Sequence, residues 1–365
     1  MTATMACLAA LGAKITAEDG RVTLDGASMG AASSVMDCGE SGSTLRFMIP
    51  IALALGNGGT FLLHGRLGER PLAPYAPMYA ACGVTAVYGA PDASGAVPYT
   101  VTGHLVAGDY SLSGNVSSQF VSGMLFALPL LAGDSTLTVT PPVTSVGYIA
   151  MTLQCLRESG IAVEELAPYT WRIRGNQRYN AHDAALPGDW SQGAVLLCAA
   201  AMGHPLTVAG LSTDTAQGDA AVLTCLEALG ACWRDTAQGL IVTAESLHGA
   251  TFSGEDIPDI VPVLALTCTQ AAGESRITNC GRLRVKESDR FAATIDLLRT
   301  LGADIHGEGD TLVIRGKTPL HGGVTVDGCN DHRMVMLMAL AATLCDAPVT
   351  VRGTEALQKS WPRFT

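Results

Sequence analysis

Five stretches of this chain are apolar around nearly the whole circumference of a helix, not along one face only. Such a pattern is typical of a helix that is surrounded by protein on every side. We therefore expect each of these helices to lie buried at the centre of a domain. The stretches cover residues 43–55, 117–132, 190–202, 258–270 and 332–345.

A second kind of helix recurs along the chain and ends in an apolar-x-x-Gly motif before a β-rich run. Glycine is the usual residue where a helix ends in the left-handed conformation. The five glycines are spaced by 71, 77, 70 and 72 residues, and so regular a period indicates an internal repeat. They are Gly12, Gly83, Gly160, Gly230 and Gly302.

Strands alternate with these helices, as at residues 21–24 and 59–64. Alternating strands and helices predict α/β units in which helices pack on sheets. The length of 365 residues allows two domains with good cores. We predict a mixed α/β (α+β) fold with an N-terminal domain at residues 1–186 and a C-terminal domain at residues 187–365.

The repeat also predicts that units at both ends are incomplete. A sixth glycine is expected at about residue 373, beyond Thr365. At the other end, Gly12 has only 11 residues before it, far fewer than the other copies have. We therefore expect the first unit to lack its opening strand and its buried helix, and the last unit to be slightly short.

Composition and charge exclude several classes of function. A formal net charge of −11 opposes binding to nucleic acid, which needs clustered Lys and Arg. The 11 cysteines form no CxxC pair and lie in apolar runs, so we expect small core residues of a reducing compartment and no metal site. No signal peptide or membrane-length apolar run is evident. These features predict a cytoplasmic protein.

The segment 284–290 is the most charged part of the chain, with five charged residues among seven. As the opening of a helix it would place Lys286 and Arg290 one turn apart on one face, with Glu287 beside them. Cations at a helix N-terminus form a site for anions. The alternative is a solvated charged turn.

Four of the buried helices follow polar loops that could also hold anions, although each loop could simply cap its helix. Residues 37–46 form a Gly/Ser loop with Arg46 in the first helical turn, and residues 113–119 offer three polar side chains where a cap needs one. Asp259 could cap the next helix or act as a base. Before the last helix, a His332–Arg333 pair is an unusual cap, which favours an anion-binding role for Arg333.

Together these segments resemble the 5-enolpyruvylshikimate-3-phosphate (EPSP) synthase family, and the resemblance covers essentially the whole chain. It implies the two-domain enolpyruvyl transferase fold, an inside-out α/β barrel of repeated βαβαββ units with buried helices. The motifs are Gly42-Ser43-Thr44-Leu45-Arg46, Glu69-Arg70-Pro71-Leu72, Ser117-Ser118-Gln119, Ser145-Val146-Gly147-Tyr148-Ile149, Ile257-Pro258-Asp259, Arg284-Val285-Lys286-Glu287-Ser288-Asp289-Arg290, Asn330-Asp331-His332-Arg333-Met334 and Lys359-Ser360-Trp361-Pro362.

The resemblance implies transfer of the enolpyruvyl group of phosphoenolpyruvate (PEP) to the 5-hydroxyl of shikimate 3-phosphate, in aromatic amino acid biosynthesis. It implies no cofactor or metal, a monomer with these two small-molecule partners, and a target of glyphosate. Three residues would be catalytic: Asp259, Lys286 and Glu287. Residues that would bind shikimate 3-phosphate are Ser117, Ser118, Gln119, Ser145, Tyr148, Asp259, Arg282 and Lys286. Residues that would bind PEP are Gly42, Arg70, Gln119, Arg290, Arg333 and Lys359.

The chain departs from the family pattern in three places, one of which is that the C-terminal helix expected after Pro362 is absent. The family's N-terminal Lys-Ser motif, followed by Arg, is absent, and Arg282 stands where some members have Asn. One alternative is therefore an impaired or inactive fragment of the enzyme, and on this basis we expect little or no turnover. A second alternative is UDP-N-acetylglucosamine enolpyruvyl transferase, which shares the fold. That family has a reactive Cys in a Gly-rich loop and lacks the Ser-Ser-Gln and Lys-Glu-Ser-Asp-Arg motifs.

Overall fold

The computed structural model describes residues 1–30 and 35–364. The chain divides into two compact units, Met1–Asp183 and Ala184–Thr365. This boundary falls three residues before the predicted one at residue 186. Each unit has its own hydrophobic core. The assignment of each unit as one enolpyruvyl transferase domain stays a prediction.

The first unit contains five helices among its described residues: α1 (Thr2–Ala10), α2 (Gly42–Leu55), α3 (Ala76–Cys82), α4 (Ser118–Ala127) and α5 (Val146–Glu158). Its strands are β1 (Lys14–Glu18), β2 (Arg21–Asp25), β3 (Val35–Asp37), β4 (Gly58–Leu63), β5 (Thr85–Tyr88), β6 (Val97–Thr102), β7 (Asp109–Ser113), β8 (Ser135–Thr140), β9 (Val163–Ala167) and β10 (Thr170–Ile173).

The second unit contains α6 (Trp190–Ala201), α7 (Val222–Ala228), α8 (Val261–Thr269), α9 (Arg290–Thr300) and α10 (His332–Ala342). Its strands are β11 (Thr207–Val208), β12 (Cys232–Thr236), β13 (Gly239–Thr243), β14 (Thr251–Ser253), β15 (Gly273–Thr278), β16 (Asp304–Glu308), β17 (Thr311–Gly316), β18 (Thr325–Asp327) and β19 (Thr350–Arg352).

Three four-stranded sheets share one arrangement, with strand orders β3-β4-β6-β5, β7-β8-β10-β9 and β14-β15-β17-β16. In each sheet the first two strands are parallel and the remaining neighbours are antiparallel. With their helices these sheets give the chain order β-α-β-α-β-β. The predicted βαβαββ repeat is therefore confirmed, because a helix crosses over between parallel strands and a hairpin closes each unit.

The helices predicted to be buried are α2, α4, α6, α8 and α10. All nine residues of α8 are buried, and in the second unit α8 contacts both α6 and α10. Three helices are shorter than predicted by three residues or more, and one of them, α10, ends at Ala342 instead of residue 345. Helix α4 ends at Ala127, and a 3₁₀ turn with Pro129 follows it. Helix α8 begins at Val261 because residues before it form a turn. The predicted burial of these five helices is confirmed.

All five repeat glycines have positive φ angles, between 63° and 99°. This conformation is open to glycine because it lacks a β-carbon. The prediction that these glycines end helices in a left-handed conformation is thus confirmed. At Gly83 the residue is itself the C-cap of α3.

The cysteine prediction is correct only in part. Six cysteines are buried, but Cys155 and Cys232 are exposed. Cys155 lies on the outer face of α5 and Cys232 begins the edge strand β12, so the apolar runs around them do not lie wholly inside a core. No helix in the described part of the chain is both long and apolar enough to cross a membrane.

Candidate active site

In the second unit, the charged segment 284–290 is not the helix opening that its sequence predicts. A 3₁₀ turn ends at Val285, Lys286 is extended, and α9 begins only at Arg290, with Asp289 as its N-cap. Lys286 and Arg290 therefore do not occupy one helical face. They converge instead on one carboxylate, because Asp259 Oδ1 lies 3.2 Å from Lys286 Nζ and 2.5 Å from Arg290 Nη1.

Asp259 does not cap α8, so the capping interpretation of this residue is wrong. The N-cap is Ile260. Burial alone would raise the pKa of Asp259, but Lys286 and Arg290 outweigh it and hold that pKa well below the ordinary value. Asp259 is therefore a carboxylate at neutral pH, which makes it a weak base and a strong acceptor of hydrogen bonds.

The pKa of Lys286 is lowered below its ordinary value. Burial is the largest cause, and it outweighs the attraction of Asp259, while Arg290 adds a smaller repulsion. A lysine with a lowered pKa loses its proton more easily near neutral pH, as acid–base chemistry requires.

Arg290 is 1% exposed and binds three carboxylates. Its Nε donates to Asp331 Oδ2 at 2.8 Å and its Nη2 to Glu287 Oε2 at 2.7 Å, in addition to the Asp259 contact. Burial by itself would lower the pKa of Arg290, but these carboxylates, Asp331 above all, raise it. Arg290 can contact PEP only beside these partners or by exchanging one of them.

The first turn of α10 carries Asp331, His332 and Arg333. Its N-cap is Asp331, which accepts from Arg333 N, so the His–Arg pair is not the cap. Arg290 outweighs the effect of burial and lowers the pKa of Asp331 to about 2. Burial, followed by Arg333 and Arg290, lowers the pKa of His332 to about 4. His332 is therefore neutral at pH 7.

Arg333 lies against α6. Its Nη1 donates to the Ser191 carbonyl oxygen at 2.7 Å, and its Nη2 donates to Ser191 Oγ at 2.5 Å. Arg333 Nε is buried and has no hydrogen-bond partner among the described residues. Nearby, Lys359 Nζ donates to the Asn330 carbonyl oxygen at 2.7 Å, which places this lysine beside the N-terminus of α10.

Asp219 is a buried carboxylate that the sequence analysis missed. It lies in the 3₁₀ turn Gly218–Ala221 and is 3% exposed. Burial, followed by repulsion from Asp259, raises its pKa to about 7. A buried carboxylate that titrates near neutral pH beside other charges is typical of active sites. The polar turn Gln217-Gly218-Asp219 before an apolar helix could have revealed it, by the criterion applied to the other loops.

In the first unit, two arginines meet at the N-terminus of α2. A β-carbon at Gly42 would lie 2.6 Å from Arg70 Nη1 and 2.7 Å from Arg46 Nη1. Arg46 is buried, and its Nη1 donates to Gln119 Oε1 at 2.7 Å. The structure therefore brings together Gly42, Arg70 and Gln119, three predicted PEP-binding residues, with Arg46 between them.

The N-termini of α4 and α5 carry the residues predicted to bind shikimate 3-phosphate. Ser117 caps α4, while Ser118 is buried in the first turn. The loops before the two helices are joined because Thr144 donates to the Gly114 carbonyl oxygen through both its N–H and its hydroxyl. Ser145 then adopts a left-handed conformation with φ 55°, one turn before Tyr148. Such strain in a non-glycine residue is common at functional sites.

The second unit gathers Asp259, Lys286, Glu287 and Arg290 directly, with Arg333 and Lys359 at α10. Arg282 lies in the 3₁₀ turn Gly281–Val285 and contributes positive charge near Lys286. No group of three or more His, Cys, Asp or Glu within residues 1–30 and 35–364 could hold a metal ion.

A family model described as EPSP synthase (3-phosphoshikimate 1-carboxyvinyltransferase) matches residues 1–365. The chain belongs to the EPSP synthase family. A 3-phosphoshikimate 1-carboxyvinyltransferase of Clostridium beijerinckii is 37% identical over 371 residues, which cover 99% of this chain and 84% of that relative. The relative from Clostridium novyi is 37% identical over 91% of this chain and 75% of its own length.

Solved structures agree on the fold. An EPSP synthase from Acinetobacter baumannii superposes with a TM-score of 0.78 at 24% identity, covering all of this chain and 85% of that one. The enolpyruvyl transferase NikO from Streptomyces tendae gives a TM-score of 0.74 at 20% identity, over 99% of this chain and 84% of that one. The predicted enolpyruvyl transferase fold of the EPSP synthase family is therefore confirmed.

Proposed function

We propose that this enzyme transfers the enolpyruvyl group of PEP to the 5-hydroxyl of shikimate 3-phosphate, giving EPSP and phosphate. The observation that carries the proposal is the convergence of Lys286 and Arg290 on Asp259, in a chain of the EPSP synthase family. The site chemistry suits the reaction because it combines cations for an anionic substrate with a lysine of lowered pKa.

The reaction is an addition followed by an elimination. In the addition, the 5-oxygen bonds to C2 of PEP, loses its proton, and C3 of PEP gains a proton. In the elimination, C3 returns a proton and the bond from C2 to the phosphate oxygen breaks, so that phosphate leaves with the electron pair. Two proton transfers at different atoms therefore need two positioned groups.

Lys286 and Glu287 supply these groups in our proposal. Lys286 has the lowered pKa that general acid–base catalysis favours. Glu287 is adjacent in sequence and contacts Arg290, which limits its orientations. Asp259 acts mainly as an acceptor that orients the substrate hydroxyl and Lys286, because its low pKa makes it a poor base.

The anionic ends of PEP need cations that are already desolvated. In the second unit, Arg333 offers a buried Nε–H and Lys359 lies near the same helix end. Arg290 contacts Asp331, the N-cap of that helix. In the first unit, Arg70 lies against Gly42 and Gln119 is held by Arg46. Shikimate 3-phosphate would use Ser117, Ser118, Gln119, Ser145 and Tyr148, with Arg282, Asp259 and Lys286. A monomeric state and a cytoplasmic location are part of the same proposal.

Phosphate release tests the proposal. We expect phosphate release, at the low rate that the sequence predicts for this chain, only when PEP and shikimate 3-phosphate are both present. We expect Lys286→Met to slow this release by a further factor of about 10²–10⁴, the usual contribution of a general acid–base. Lys14→Met is the matched control, because Lys14 is exposed on β1. Release that does not depend on shikimate 3-phosphate, or that depends on UDP-N-acetylglucosamine instead, contradicts the proposal.

A further inference from the structure

The guanidinium of Arg333 is held at one edge and open at another. Both terminal nitrogens, Nη1 and Nη2, donate to Ser191, so the distal edge of the fork is occupied. The lateral edge contains Nε. This atom is buried and has no hydrogen-bond partner among the described residues, and Arg333 as a whole is only 8% exposed. A buried N–H donor without an acceptor is costly, and an anionic ligand at the lateral edge would satisfy it.

Ser191 can receive these bonds because its own proton is directed elsewhere. Asp189 Oδ1 accepts from Ser191 N at 2.8 Å and from Ser191 Oγ at 2.6 Å. A carboxylate only accepts hydrogen bonds and a guanidinium only donates them. The hydroxyl proton of Ser191 therefore lies toward Asp189, and the lone pairs of Oγ lie toward Arg333.

This arrangement joins two elements that are far apart in sequence. Ser191 lies in the first turn of α6 and Arg333 in the first turn of α10, 142 residues later, and the two helices pack on each other. An arginine side chain has several rotatable bonds, and a free one could point its lateral edge in many directions. Bonding of the distal edge to a second helix limits these directions. Asp189 in turn fixes Ser191, because it is the N-cap of α6.

We propose that Ser191 is a positioning residue for PEP binding: it fixes the distal edge of Arg333, and so directs the lateral edge toward an anionic group of PEP. Ser191 itself does not contact the substrate in this arrangement. The inference rests on the proposed function, because it assumes that Arg333 binds PEP.

Titration of each ligand separately tests this role without turnover. Ser191→Ala should raise the Kd for PEP roughly tenfold, the effect of losing one hydrogen bond to a charged group. The Kd for shikimate 3-phosphate should change by less than about twofold, since Arg333 does not hold that ligand. Ser275→Ala is the matched control, because Ser275 is also a buried serine of the second unit but lies on a different element, β15.

Two further variants separate positioning from folding. Ser191→Thr keeps the hydroxyl and should restore PEP binding to near the wild-type Kd. Ser191→Cys keeps a side chain of similar shape, but its sulfur is a weak hydrogen-bond acceptor, so this variant should raise the Kd for PEP. It therefore tests the positioning role even if the alanine variant fails to fold. A purely structural role would weaken both ligands together and lower the Tm in parallel, and that result would overturn the inference.

The two proposals fail in distinguishable ways. Unchanged PEP binding in Ser191→Ala, with phosphate release intact in the wild type, rejects the positioning role alone. A wild-type chain that binds no PEP rejects the assignment of Arg333 to PEP, and the inference falls with it.

Discussion

Arg290 contacts three carboxylates, and these contacts link the charged groups of the second-unit site to one another. Its three contacts with Asp259, Glu287 and Asp331 satisfy a charge that is almost fully buried. A buried charge without partners costs several kcal/mol, so the carboxylates and the arginine depend on each other. The same pairing helps to keep Asp259 ionised, while burial lowers the pKa of Lys286.

Gly42 provides a test at the scale of one residue. A β-carbon there would press on the Nη1 atoms of Arg70 and Arg46. We expect Gly42→Ala to displace the flexible end of Arg70 and to raise the KM for PEP roughly tenfold, with a smaller effect on the KM for shikimate 3-phosphate. Steady-state kinetics with each substrate varied would measure this.

Gly68→Ala is the matched control for Gly42→Ala. A β-carbon at Gly68 would lie 3.7 Å from Val97, which is ordinary van der Waals contact, and Gly68 belongs to the segment that leads to Arg70. Equal KM values for PEP in the two alanine variants would show that Gly42 has no special role.

Asp219 gives a prediction about pH. Because burial and then Asp259 raise its pKa from 3.8 to about 7, the folded chain holds a proton between these pH values that the unfolded chain has released. Stability therefore falls as pH rises through this window, and the full cost is present above pH 7. Asp219→Asn should raise the free energy of unfolding at pH 8 by on the order of 1–4 kcal/mol, and little at pH 4.

Urea denaturation at the two pH values measures this difference. The control is Asp214→Asn, since Asp214 is exposed a few residues away. A stabilisation that is the same at pH 4 and pH 8 would mean that Asp219 does not carry the raised pKa.

The sequence predicted which residues belong to the site better than it predicted which residues they contact. Segment 284–290 marked Lys286, Glu287 and Arg290 by local charge density alone. Nothing local indicated that Ser191 would meet Arg333, because that contact joins residues 142 positions apart. The wrong helical assignment of Lys286 has a different, local origin: the sequence pattern includes the charged segment in the helix, but the side chain of Asp289 caps α9 and the helix begins only at Arg290.

At the scale of elements, the first turns of buried helices hold part of the candidate site: Gly42 on α2, Ser118 and Gln119 on α4, and Arg333 on α10. The first turn of α6 contacts Arg333 through Ser191, and Gln192 donates to the Ser360 carbonyl oxygen beside Lys359. Helix N-termini leave backbone N–H groups unpaired, and they favour negative charge. A fold that repeats buried helices therefore repeats sites suited to anionic substrates.

Close packing of α2 on α4 depends on Gly123. A β-carbon there would lie 2.4 Å from the Arg46 carbonyl oxygen and 2.4 Å from Tyr75 Oη. The backbone oxygen cannot move without moving α2, so we expect Gly123→Ala to lower the free energy of unfolding by about 1–3 kcal/mol, as overpacking does. Chemical denaturation would measure the change.

Gly108→Ala is the control for Gly123→Ala, because no heavy atom lies within 4 Å of a β-carbon at Gly108. Stability equal to the wild type in Gly123→Ala would indicate that α2 and α4 can separate without cost.

At the scale of the whole molecule, the chain between the two units is open to cleavage. Residues 180–188 carry no helix or strand, and Leu186 is 77% exposed. Each unit has its own core, which protects its interior from proteases. We expect brief digestion with subtilisin to cut first near residues 180–188 and to leave two fragments of similar mass, identified by mass spectrometry. First cuts inside either core would contradict this expectation.

The repeat, the buried helices, the family and most candidate residues follow from hydrophobic periodicity, glycine spacing and short motifs, which are local properties of the chain. Which charges share a partner, and how deeply each is buried, depends on how distant segments meet in the folded protein. Asp259 joins Lys286 to Arg290, and Asp219 has a pKa near 7, only because separate loops meet around them. Desolvation and charge–charge distances depend on residues far away in sequence, so no local pattern could have revealed them.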